Sequence, residues 1–189
     1  MMKFFLVLGF MVFSLVGCEE DTLPKPKAFL SLNYPEPVYR TIVDDCPFSF
    51  DVNQAAEIVP QEQCWNKITY SKMKATIYLS YVSVEDNLDS LLYDAYQMPS
   101  KHIVKAEEIP ERVFQNPKKR VYGTLFRVVG EAASQAQFFL TDSIDHFLVG
   151  SLYFYTRPNY DSLMPAANYV ENDMMQLMES FEWKDTSKK

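Results

Sequence analysis

The densest run of reactive side chains in the sequence is Thr141-Asp142-Ser143-Ile144-Asp145-His146, with Asp161-Ser162 after the next turn. As a nucleophilic site it would use Ser143 or Ser162 to attack, His146 as base and an aspartate to orient the imidazole. Neither serine sits in a Gly-x-Ser-x-Gly elbow, however. Thr-Asp-Ser is also a strong turn sequence, in which short polar side chains bond to backbone amides. Turn chemistry is therefore the first reading of this cluster, and an envelope hydrolase using Asp142 to His146 the alternative. The other candidates are thinner. His102 opens a strand-like segment and could be a ligand. Asp44-Asp45 and Glu107-Glu108 could pair for acid–base work or bind Ca²⁺, but neighbours in a strand project to opposite faces and cannot easily serve one site. With no phosphate-binding glycine loop, CxxC or metal-ligand spacing, neither a cofactor nor a metal is expected.

The cysteines offer more. Residues 1–18 read MMKFFLVLGFMVFSLVGC, with Lys3 as a short positive region, an apolar core over 4–16 and small Gly17 before Cys18. That pattern is a secretory signal peptide, too short for a membrane span of about 20 residues. Its end, Leu15-Val16-Gly17-Cys18, resembles the lipobox of bacterial lipoproteins. The lipobox implies cleavage before the cysteine and acylation of its thiol and new amine, with palmitate the expected kind of chain. Several acyl chains hold a protein to a bilayer far more firmly than one. Two cysteines remain, Cys46 and Cys64. In an oxidising compartment they most simply pair, and closing a loop of about 18 residues stabilises by roughly 3 kcal/mol in the chain-entropy model. Separate structural thiols and, more remotely, a metal site stay open, since His102 and His146 lie far along the chain.

These groups need elements to hold them. Residues 18–27 are charged, with prolines at 24 and 26, and read as an extended tether. Residues 28–34 alternate as a first strand, and 35–65 is proline- and turn-rich with strand-like pieces such as 48–52. Residues 74–82 form a strand with Ala75, Ile77, Leu79 and Tyr81 on one face. Ser83 is a candidate N-cap for an amphipathic helix over 84–97, with Asp86 three residues on. A shorter strand is expected over 102–109, then an antiparallel meander over 120–129, 133–141 and 145–155 joined by Gly130-Glu131 and Thr141-Asp142-Ser143. Lys118-Lys119-Arg120 is a solvated loop at its start. The stripe Leu163, Ala166, Ala167, Val170, Met174, Leu177, Met178 and Phe181 predicts a helix over 162–181, with Pro165 in its first turn.

The order of elements implies an α+β domain with helices packed on an antiparallel sheet. The boundaries expected are signal peptide 1–17, lipid-anchored tether 18–27, one globular domain 28–184 and a short tail 185–189. The chain has 189 residues, 48% of them hydrophobic, enough for one core. Its net charge of -7 disfavours nucleic acid as a partner. The meander holds Phe138, Phe139, Phe147, Tyr153, Phe154 and Tyr155, with Tyr160 just beyond, and alternation cannot put all of them on one sheet face. Either helices cover both faces or one aromatic face binds something. Trp65, Phe139, Phe147, Tyr155 and Tyr160 are the candidates for such a surface.

Several blocks, LPKPKAFLSLNYP, CPFSFD, CWNKITYSKMKATIYLSY, NLDSLLYDAY, HIVKAEEI and QFFLTDSIDHFLVGSLYFYTRPNYDSLMPAANYV, resemble the GldD family of gliding-motility lipoproteins. The resemblance implies a lipid-anchored component of the cell envelope, on the outer membrane or facing the periplasm. It would be required for gliding, linked to type IX protein secretion, and would work by docking onto other proteins of that machinery. No enzymatic activity comes with the family, and Cys18 carries over as the lipidated residue. The element order also resembles the PsbP-like fold, an α/β/α sandwich, at the level of architecture only. A lipoprotein that binds a small ligand in an aromatic cleft is a further alternative.

Overall fold

The computed structural model describes residues 34–102, 106–156 and 159–184. The expected signal peptide 1–17, Cys18, the expected tether 18–27, the strand expected over 28–34 (save Tyr34, which is coil) and the expected tail 185–189 lie outside them. In chain order the elements are β1 (Tyr39–Val43), β2 (Phe48–Asn53), β3 (Glu57–Pro60), β4 (Asn66–Tyr70) and β5 (Ala75–Ser83), then helix α1 (Leu88–Gln97). They continue through β6 (Ala106–Glu108), β7 (Glu111–Asn116), β8 (Val121–Arg127), β9 (Val129–Gly130), β10 (Ser134–Thr141), β11 (His146–Phe154), α2 (Tyr160–Ser180) and β12 (Glu182–Trp183). Seven strands form one antiparallel sheet in the order β3-β4-β5-β11-β10-β8-β7, and β1-β2-β12 form a second small sheet. Among the described residues the protein is thus α+β, with antiparallel sheets and two α-helices.

Period-two alternation sorts the meander onto two faces. On one face Ile77, Leu79, Leu125, Phe138, Leu140, Leu148 and Leu152 form a single buried cluster with Val170, Met174, Leu177 and Met178 of α2 and with Phe48, Phe50 and Val52 of β2. On the other, Phe126, Phe139 and Phe147 are buried with Ala95, against Leu88, Leu91 and Leu92 of α1. The adjacent pair Phe138 and Phe139 is resolved in this way, each ring under a different helix. Gly150 faces Phe138 across the β10–β11 pair, and a Cβ at that position would overlap the ring.

The helices differ from expectation at their starts. α1 begins at Leu88 instead of residue 84, because the Val84 amide bonds Asp145 O (2.9 Å) and Asp86 takes a left-handed conformation (φ 55°). The Ser83 cap is therefore replaced by Asn87, whose side chain turns back to accept the Glu85 amide (3.0 Å). α2 begins at Tyr160, two residues early, which puts Pro165 in the second turn. There it withholds one amide from the helix ladder. Of the strand expected over 102–109, the described residues show Ala106–Glu108, while His102 ends a short 3-10 turn and 103–105 lie outside them. The proline-rich region carries β1 and β3 as well as β2, while β4, β7, β9 and β12 had no counterpart in the sequence reading.

Candidate functional site

The 141–146 cluster folds as a turn. One oxygen of Asp142, Oδ1, accepts the backbone N–H groups of Ile144 (3.0 Å), Asp145 (2.9 Å) and His146 (2.9 Å). Burial pushes this carboxyl up, but those three amides outweigh it and hold it below the usual carboxylate range. Thr141 Oγ1 donates to His146 O (2.7 Å) and accepts the Ser143 amide (2.9 Å), while Ser143 itself is exposed in a left-handed conformation (φ 66°). The His146 ring is held by Tyr81 and Trp183. Its Nδ1 lies 2.8 Å from the Tyr81 hydroxyl, and its plane stacks on Trp183 with centroids 5.0 Å apart. Ser162 Oγ donates to Asn159 O (3.0 Å) at the start of α2. The sequence therefore places these groups next to one another, but the fold commits Thr141, Asp142 and Ser162 to local hydrogen bonds and His146 to Tyr81. Asp44 likewise serves the chain, accepting the Cys46 amide (3.0 Å). Among the described residues no three His, Cys, Asp or Glu side chains converge as a metal site.

One buried carboxylate escaped the sequence reading. Asp173 of α2 accepts hydrogen bonds from Tyr39 (2.7 Å), Tyr70 (2.9 Å) and Asn53 Nδ2 (2.9 Å). The second Asn53 N–H reaches Tyr169 OH (2.9 Å), which donates to Pro35 O (3.0 Å). Burial pushes the Asp173 carboxyl above its ordinary range although all three partners pull it down. Burial and the neighbouring carboxylate likewise raise the Tyr39 and Tyr70 hydroxyls. The group ties β1, β2, β4 and α2 together where the N-terminal segment joins the domain. Its signal was available: Asp173 falls three residues after Val170 and four before Leu177, inside the apolar stripe of α2.

Of the aromatic residues proposed as a surface, Phe139 and Phe147 are buried under α1 and present nothing outward, which corrects that expectation. They face the helix because α1 crosses the sheet there. Tyr160 is half-buried at the start of α2. Trp65 (43% exposed) and Tyr155 (60%) remain on the surface, at opposite ends of β5. At one end, the disulfide Cys46–Cys64 (Cα–Cα 5.5 Å) joins the loop before Trp65 to the start of β2. In that loop Gln63 and Cys64 are both left-handed (φ 58° and 59°), a conformation costing about 1–2 kcal/mol per residue. Gln61 N–H bonds Trp65 O (2.8 Å), and the indole N–H donates to Tyr81 O (3.0 Å), so the exposed ring is held in one orientation. Beside it runs a groove of about 510 Å³ lined by Trp65, Tyr81, Ser83 and Asn87 among others.

At the opposite end of β5, where Tyr155 N–H bonds Lys74 O (2.8 Å), lies a second cleft of about 510 Å³. Tyr78, Tyr153 and Tyr155 line it; the first two rings meet edge to face (5.8 Å), and the Tyr78 and Tyr155 hydroxyls are hydrogen-bonded. Helix α1 does not reach this part of the sheet, so among the described residues the second face is covered at one end and open at the other.

Residues 19–183, most of the chain, match the family described as gliding motility lipoprotein GldD. The chain belongs to that family. No curated protein and no solved structure is significantly similar to it. As a GldD-family lipoprotein it is a membrane-associated motility component of the cell envelope, and the family is not known for enzymatic activity. No helix among the described residues is long and apolar enough to cross a membrane.

Proposed function

We propose that this GldD-family chain is a non-catalytic docking component of the gliding machinery, held in the envelope by acyl chains on Cys18 and linked to type IX secretion. In this reading the signal peptide 1–17 is removed, residues 18–27 form the tether, and 28–184 act as one globular domain. The observation that carries it is Trp65. An exposed indole, fixed by its N–H to Tyr81 O and by a disulfide-closed loop, is a preorganised anchor for a protein partner. Ile144, also exposed, flanks the same end of the sheet and widens the apolar contact.

Trp65→Ala tests this in gliding cells. The protein should accumulate at its normal level and spread on membranes as before, while gliding and in-cell crosslinks to its partner are lost. Full motility with unchanged crosslinks would overturn the reading. The hydrolase alternative predicts instead that His146→Ala abolishes gliding with Trp65 intact.

A further inference from the structure

We infer that β7 is an interface between two copies of this chain, paired edge to edge about a two-fold axis at Val113 so that the two seven-stranded sheets become one. β7 ends the sheet on one side, and an open edge is a template for another strand. Which of its backbone groups face outward follows from the pairing. The Arg127 amide bonds Pro110 O (3.0 Å), and β7 pairs with β8 from 111/126 to 116/121 without a register shift. Along an antiparallel pair, residues alternate between bonding the neighbouring strand and pointing away from it. Arg112, Phe114 and Asn116 therefore bond β8, while Glu111, Val113 and Gln115 turn their N–H and C=O groups outward. The Val128 amide on Gln135 O (2.9 Å) fixes the same alternation from the other side of β8. Among the described residues no strand pairs with this edge, and Val113 is 65% exposed on it.

The opposite edge, β3, is guarded against such pairing. Gln61 N–H bonds Trp65 O, so the same alternation turns Ile58 and Pro60 outward, and Pro60 has no N–H to offer. β7 contains no proline; Pro110 and Pro117 only bound it.

The sequence of β7, Glu-Arg-Val-Phe-Gln-Asn, selects a second copy as the occupant. Turned about Val113, each outward residue meets another: Val113 meets the partner's Val113, and Glu111 meets the partner's Gln115. Three residues that each donate once and accept once give six main-chain bonds between the copies. Centring the axis on Arg112 or Phe114 instead leaves one of the three without its counterpart. The side chains match in the same register. On the α1 side, the Glu111 carboxylate accepts from the partner's Gln115 amide, and the two valines cover each other. On the α2 side, the Arg112 guanidinium lies beside the partner's Phe114 ring, a favourable cation–π pairing.

Charge points to the same occupant. Glu107, Glu108 and Glu111 are exposed at or before the start of the strand, and Lys118 and Arg120 are exposed on the turn after its end, while Lys119 is held by Glu182 (2.8 Å). Antiparallel pairing sets the acidic end of each copy beside the basic turn of the other. With a net charge of -7 the chains repel overall, so this local match fixes the orientation in which they meet. Trp65, beside the guarded edge, stays free in the pair.

The test uses the full mature lipoprotein in detergent. Residues facing each other in a bonded antiparallel pair have Cα atoms about 5.5 Å apart, within disulfide reach. Val113→Cys should therefore give a disulfide-linked dimer on mild oxidation and Gln115→Cys should not, whereas Glu111→Cys combined with Gln115→Cys should. Val113→Pro removes an outward N–H and leaves the bonds to β8 intact. Wild type should sediment as two copies, and this variant as one with an unchanged circular dichroism spectrum. Glu108→Lys, on the surface, should weaken association several-fold, and adding Lys118→Glu should restore it. A wild type that sediments as one copy, equal crosslinking of Val113→Cys and Gln115→Cys, or a Val113→Cys bond to a different polypeptide would overturn the inference.

Discussion

Removing the carboxylate of Asp173 should loosen the place where the N-terminal segment meets the domain, and the structure gives the size of the effect. In Asp173→Ala, Tyr70 OH and one Asn53 N–H lose their acceptor while buried, and Tyr39, more open, can turn to water. Two stranded buried donors cost about 1–3 kcal/mol each. Against this stands the relief of no longer burying a charge, so the net loss at pH 7 should be about 2–4 kcal/mol. For a domain of this size each kcal/mol moves Tm by roughly 2–4 °C, giving a fall of about 5–15 °C by circular dichroism. Asp173→Asn, which keeps an acceptor, should lose less. The pH dependence fixes the sign. The folded carboxyl sits above its ordinary value, so folding favours the protonated form. Its contribution to stability is fully present below the unfolded value of about 3.9 and is lost as pH rises through the raised folded value. The stability of wild type relative to Asp173→Asn should therefore grow as pH falls from 7 toward 4. A difference that is flat, or that grows with pH, would refute the account, as would an Asp173→Ala protein melting with the wild type.

Asp142 should behave in the opposite sense, since its carboxyl is depressed: the advantage of wild type over Asp142→Ala, about 1–3 kcal/mol from three amides left without an acceptor, should shrink below pH 4 in urea titrations. Gly150→Val drives a branched side chain into the Phe138 ring and should cost about 1–3 kcal/mol, read as a lowered melting temperature; an unshifted Tm would mean that the two strands can separate to admit it. Cys64→Ser opens a loop whose ends are 18 residues apart and should lose roughly 3 kcal/mol together with the mobility change on reduction expected of wild type. Equal stability with and without reductant would remove the disulfide from the account of the Trp65 loop.

Much of the fold could be read locally. The strands at 74–82 and 145–155 and the helix at 162–181 carry strong periodicity, and each lies within two residues of its place. The edge strands β3 and β7 could not be read this way. An edge strand buries little, so Glu111–Asn116 has only Val113 and Phe114 as apolar residues and Val113 is exposed. The Trp65 loop was visible as an exception, a cysteine beside a tryptophan in proline-rich chain, but its rigidity rests on a bond to Tyr81 sixteen residues away.

By itself the sequence determined the composition of each layer and the local chemistry: the turn at 141–146, the apolar stripe of α2 and the membership of a lipoprotein family. The turn at 141–146 depends on neighbours within a few residues, and the stripe of α2 on the period of its own helix. Only the tertiary structure decided that Phe139 and Phe147 lie under α1 while Tyr78, Tyr153 and Tyr155 remain open, and that Asp173 meets three donors more than 100 residues away in the chain. A side chain's alternation says which face it joins. What covers that face depends on where a helix from elsewhere in the chain comes to rest.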